Sequence, residues 1–168
     1  FAYLTAAPFV FTGGFALDAR TYSLLLALCA GASIMGAQAS PVLMKRWGGR
    51  MLALRIGSVA VAATLLMMMW ATAAPVPLVV FQIYSMLMFK LAGVMLTPAV
   101  ITALDAASGG AGAAAGLAGT IQLAVTALAS TAVSLMPSAS LLPLLVVLGG
   151  ALTLALVLAA RTRVETSR

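Results

Sequence analysis

VPLVVFQIYSMLMFKLAGVMLTPAVITAL, running from Val76 to Leu104, contains a single charged residue, Lys90. A helix needs about 20 mostly apolar residues to cross the hydrocarbon of a bilayer, and this stretch exceeds that. Pro75 and Pro77 stand at its head, where proline can begin a helix but not continue one. Pro98 falls inside it and marks a place where a long span can bend. Working outward, Thr21 to Met44, Met51 to Thr72, Ala111 to Met136 and Leu141 to Ala160 are also long, apolar and bounded by turn residues. Phe1 to Thr12 is apolar but too short to cross, and no basic region precedes it as a signal peptide requires. It reads as the remainder of a helix that starts upstream. The expectation is an all-α membrane protein, one bundle of six transmembrane helices over residues 1–168, the first truncated.

Composition agrees. Of 168 residues, 64% are hydrophobic and 7% charged, with mean hydropathy +1.18. A soluble domain is about a quarter charged, so an ordinary water-soluble globule is excluded. There is no His and one Cys, Cys29. An internal disulfide is therefore impossible, and a zinc site of the finger type is excluded. A net charge of +6 would suggest nucleic acid in a soluble protein. Here the bases sit in short loops and report topology instead. Lys45, Arg46, Arg50 and Arg55 cluster at the second turn, and Arg161, Arg163 and Arg168 lie in the tail. Alternating helices put both groups on one side, which the positive-inside rule makes cytoplasmic, C-terminus included. Tyr22 and Trp70 fall near the opposite interface, where amphipathic rings settle.

The polar residues are unevenly distributed. The third and sixth spans are nearly featureless and suit lipid contact. The fourth carries Gln82, Tyr84, Ser85, Lys90, Thr97 and Thr102. An ammonium at bilayer centre costs about 2.5–3.5 kcal/mol on insertion scales. Such a group faces a bundle interior or a wet cavity, unless its stem reaches an interface. Helical spacing puts Met86, Lys90, Gly93 and Thr97 on one face. In the fifth span Gln122, Thr126, Ser130 and Ser134 recur every fourth residue. They can bind substrate or hydrogen-bond a neighbouring helix. Gly112, Gly116 and Gly119 open that span with the spacing that lets helix backbones approach, and they read as helix packing. Met67, Met68 and Met69 read as soft packing. No acid lies inside any span, and without His no ordinary nucleophile–base pair can be assembled. An enzyme, a metal or an organic cofactor is not expected.

Six spans with a basic second turn resemble half of a major facilitator superfamily transporter. Lys45-Arg46-Trp47-Gly48-Gly49-Arg50 resembles the superfamily's loop signature, an acid followed by Arg-x-Gly-Arg-Arg. Arg46, Gly48 and Arg50 match it, while Lys45 replaces the acid, as in the degenerate copy of the C-terminal half. Tyr3 to Phe11, Leu96-Thr97-Pro98-Ala99, and Ala111 to Gln122 with its small residues and Gly-x-x-Gln ending, resemble the bicyclomycin/chloramphenicol-resistance family of drug exporters. The resemblance implies six helices as a 3+3 inverted repeat, half of a twelve-helix fold in the inner membrane. It implies multidrug efflux coupled to protons by alternating access, an activity tied to antibiotic resistance. The substrate, drug-like and small, would sit at the midplane against Tyr3, Thr5, Gln82, Met86, Lys90, Thr97, Gln122 and Thr126. Lys45, Arg46, Gly48 and Arg50 would gate the cytoplasmic loop. The partner would be an N-terminal six-helix half carrying the coupling acids. The other expectations are a non-transporting membrane scaffold or subunit, and a half that pairs with itself.

Overall fold

The computed structural model describes residues 11, 15–105, 111–134 and 142–161. Five helices account for nearly all of them: α1 Ala19–Trp47, α2 Gly49–Ala73, α3 Leu78–Asp105, α4 Ala111–Ser134 and α5 Leu142–Arg161. Five are described rather than the expected six, and apart from Phe11 the first apolar stretch lies outside the described residues. The other five spans match their expected bounds to within three residues. Three helical stretches, Ala19–Trp47, Met51–Ala73 and Leu78–Pro98, are long and apolar enough to cross a membrane. In α4 and α5 the apolar stretches among the described residues are Ala115–Thr131 and Leu144–Val157.

Local chemistry sets the helix ends. Asp18, extended at φ −72° and ψ 156°, accepts a hydrogen bond from the Thr21 N–H and caps α1. Hydrogen bonding from the Thr21 side chain foremost, and from its N–H, holds the exposed carboxyl below the usual aspartate value. Lys45 and Arg46 fill the last turn of α1, where cations complement the helix dipole. The expected six-residue turn is almost wholly helical. Only Gly48 separates α1 from α2, with φ +73° and its N–H bonded to the Met44 carbonyl at 2.8 Å. This positive-φ, extended conformation, with ψ 149°, costs little only for glycine.

Partner residues reveal the direction of each helix. Leu25 meets Gln82, Gly36 meets Lys90 and Ser40 meets Val94, so α1 and α3 run parallel. Gly57 meets Leu156 and Thr64 meets Gly149, so α2 and α5 run antiparallel. Thr64 also bonds Tyr84 while Leu52 packs near Val94, so α2 and α3 are antiparallel too. Up-and-down crossing by successive spans gives this set of directions. It gathers the basic turn, the end of α3 and the end of α5 at one end of the bundle.

The most extensive helix pair is α1 with α3, followed by α2 with α5; α4 is more lightly attached. Two apolar cores result. One, at the end away from the basic turn, joins Phe11, Met67, Phe81, Tyr84, Leu144 and Leu145. Its rings are closely grouped: Phe11 lies 5.5 Å from Phe81 and 5.6 Å from Tyr22, centroid to centroid. The other joins Leu52, Ile56 and Val94 beside the basic turn. The methionine run divides by facing: Met67 is buried, whereas Met69 is 68% exposed. Ile34, Met35, Leu66, Val79, Leu123 and Leu128 are also well exposed. So much apolar surface is tolerable against lipid but not in water.

Candidate functional site

Between α1 and α3 the backbones nearly touch. A Cβ built on Gly36 would sit 2.1 Å from the Lys90 carbonyl oxygen, and one on Gly93 would sit 2.1 Å from that of Ser33. Ala32, Gly36 and Ser40, one helical turn apart, are all buried on this seam. Lipid offers no hydrophobic reward for bringing helices together, so close van der Waals fit through small residues must do so. The seam also carries polar bonds. Ser40 Oγ donates to the Val94 carbonyl at 2.9 Å. Gln82 Nε2 donates to the Leu25 carbonyl at 3.0 Å and lies 3.4 Å from Cys29 Sγ. Gln82 Oε1 is buried without a hydrogen-bond partner.

The expected cavity residues are placed unevenly by this packing. Tyr3 and Thr5 lie outside the described residues. Gln82 is 7% exposed and joins α1 to α3 rather than standing on an open face. Lys90 is exposed, although its own carbonyl lies in the seam. Lys90 is twelve residues beyond Leu78 and fifteen short of Asp105, about 18 Å and 22 Å along the helix from its ends. Met86 and Thr97 are half-buried beside it, while Gly93, on the same face, is sealed against α1. On α4, Gln122 is exposed and Thr126 half-buried. No hydrogen bond among the described residues joins Lys90 to Gln82 or Gln122.

Gly112, Gly116 and Gly119 do not make the close approach their spacing suggested. A Cβ at any of the three would meet nothing within 4 Å. Among the described glycines the close backbone approach belongs to Gly36 and Gly93. The signal for it was present in Ala32-x-x-x-Gly36-x-x-x-Ser40, which has small residues at the same four-residue spacing. Another interaction missed in the sequence is the buried Thr64 hydroxyl, 3.0 Å from the Tyr84 hydroxyl, in a span that seemed featureless.

At the basic turn, Lys45 and Arg46 are exposed, Gly48 makes the link, and Arg50 opens α2. The Arg55 guanidinium stacks 4.8 Å from the centre of the Trp47 ring. Beside it lies an open hollow of about 480 Å³, also lined by Leu54, Ser58, Val59 and Leu91. A second cavity of about 420 Å³ lies among α2, α3 and α5, lined by Gly57, Ala60, Tyr84, Met88 and Leu152. Neither cavity is lined by Lys90 or Gln122. Among the described residues no group of three His, Cys, Asp or Glu side chains could hold a metal. Set beside known proteins, the chain matches no family model, no curated protein and no solved structure.

Proposed function

We propose that this chain is the C-terminal half of a drug-efflux transporter working by alternating access, with proton coupling supplied by acids elsewhere. In this reading Phe1–Thr12 belongs to a further span, the six spans form a 3+3 inverted repeat that is half of a twelve-helix fold, and the basic end is cytoplasmic. The observation that carries the proposal is Lys90, an exposed ammonium about midway along α3, a helix that also carries Gln82, Tyr84, Ser85 and Thr97. No acid lies in α3 before its final residue, Asp105. An unpaired cation at that depth is costly against acyl chains, so its exposed side borders water and a second bundle. Exposed Gln122 on α4 extends the polar surface. Gln82 acts from behind by fixing α3 to α1, and is not a direct substrate contact.

The open glycine face of α4 favours a second reading, in which the chain pairs with itself or with another membrane subunit as a scaffold. Efflux in cells separates the two. Lys90→Ala, in the complete protein at matched expression, is expected to reduce efflux of at least one substrate about tenfold or more. Unchanged efflux of every substrate would remove Lys90 from the mechanism.

A further inference from the structure

A second candidate site lies at the basic end of the bundle. Arg55 lies six residues into α2, about 9 Å along its axis, near the depth where headgroups give way to acyl chains. Its guanidinium stacks on Trp47 at 4.8 Å, an arrangement that fixes the planar group but leaves its N–H edges without a carboxylate partner among the described residues. Next to it is the 480 Å³ hollow, whose other walls are the apolar side chains of Leu54, Val59 and Leu91 and the hydroxyl-bearing Ser58. Lys45 and Arg46 stand exposed in the adjoining last turn of α1. The first turn of α2 contains no acid. Of the chain's three acids, Asp18 caps the far end of α1 and Glu165 lies outside the described residues. Asp105 closes α3 about 21 Å beyond Leu91 along that axis.

An exposed arginine at this depth calls for an anion, and the described residues provide none nearby. The bilayer has one at the right height, the phosphodiester of its own lipids. We propose that the Arg55–Trp47 hollow binds an anionic phospholipid, its phosphate on the Arg55 guanidinium and its acyl chains along Leu54, Val59 and Leu91. Arginine's planar fork matches phosphate oxygens in a bidentate way, and Trp47 holds that fork in place. Lys45 and Arg46 favour a headgroup with net negative charge over a zwitterionic one. The site depends on the membrane-spanning reading of α1 to α3, not on transport.

The test uses the full chain, stripped of lipid in neutral detergent and titrated with phosphatidylglycerol or phosphatidylcholine of the same acyl chains, with bound lipid counted by native mass spectrometry. Phosphatidylglycerol is expected to bind at least about fivefold tighter, the scale of one basic side chain at an anionic surface. Arg55→Gln is expected to weaken binding of both lipids about fivefold or more, Lys45→Gln with Arg46→Gln to remove the preference, and Arg20→Gln, at the other end of the bundle, to leave both intact. A photoactivatable phosphatidylglycerol cross-linked to the unmodified chain should label the Leu54–Val59 segment, which keeps the proposal testable if the variant does not fold. Equal binding of the two lipids, an Arg55→Gln chain that binds both as tightly as the unmodified one, or labelling elsewhere would overturn it. So would millimolar inorganic phosphate displacing the lipid, since the site would then recognise the free ion.

Discussion

The α1–α3 seam and the opening of α4 have similar small-residue spacing and opposite fates. In the seam, Gly36 and Gly93 let two backbones meet, and Ser40 and Gln82 add hydrogen bonds across the contact. On α4, Gly112, Gly116 and Gly119 face open space. Small-xxx-small spacing therefore states only that a close approach is permitted. Whether one occurs depends on what stands opposite, and α3 presents Gly93 there.

This contrast should appear in stability measured by thermal unfolding in detergent. Gly36→Leu forces a branched side chain into backbone and is expected to cost more than about 3 kcal/mol, the upper end for overpacking. Gly93→Ala should cost about 1–3 kcal/mol, because its Cβ also meets backbone, which cannot swing aside. Gly116→Ala should be neutral or stabilise by about 0.5–1 kcal/mol, since alanine is the better helix former and nothing is in its way. Equal effects at Gly93 and Gly116 would erase the distinction.

Next in size is the link between α1 and α2. Gly48→Ala, with φ +73°, is expected to lower stability by about 1–2 kcal/mol. Unchanged unfolding would mean the link readily takes another conformation. Across the α2–α3 contact, Tyr84→Phe removes the bond to Thr64 and should cost about 0.6 kcal/mol, rarely above 1.7, typical of hydrogen bonds between membrane helices.

The smallest expected effect is at Asp18. The Thr21 hydrogen bond lowers its folded pKa below the ordinary 3.8, so its contribution is present above that value and fades as pH falls through the lower folded value. Exposure and solvent screening keep it slight. Unfolding followed between pH 5 and pH 2 should lose this small acid dependence in Asp18→Asn.

Much of the fold could be read from apolar run lengths and turn residues, because a bilayer constrains a span more tightly than water constrains a soluble helix. The bounds of α1 through α5 and the clustering of bases at one end follow from that constraint. Which faces meet was less legible. Gln82 looked like a cavity residue because a buried amide and a pore-lining amide look the same in sequence; only the partner, the Leu25 carbonyl, distinguishes them. Thr64 in an apolar run was indistinguishable from a hydroxyl bonded only to its own helix until Tyr84 came beside it. Lys90 was legible as anomalous because its cost depends on depth more than on its neighbours, and the helix leaves it exposed.

Transport through this bundle requires the exposed side of Lys90 to be wet. Lys90→Cys in a Cys29→Ala background, reconstituted as the complete protein in lipid vesicles, tests it with a membrane-impermeant maleimide. Labelling of the new thiol, slowed when substrate is added, is the predicted result. A thiol that resists the aqueous reagent but reacts with a lipid-soluble one would place that position against acyl chains and contradict the transport reading.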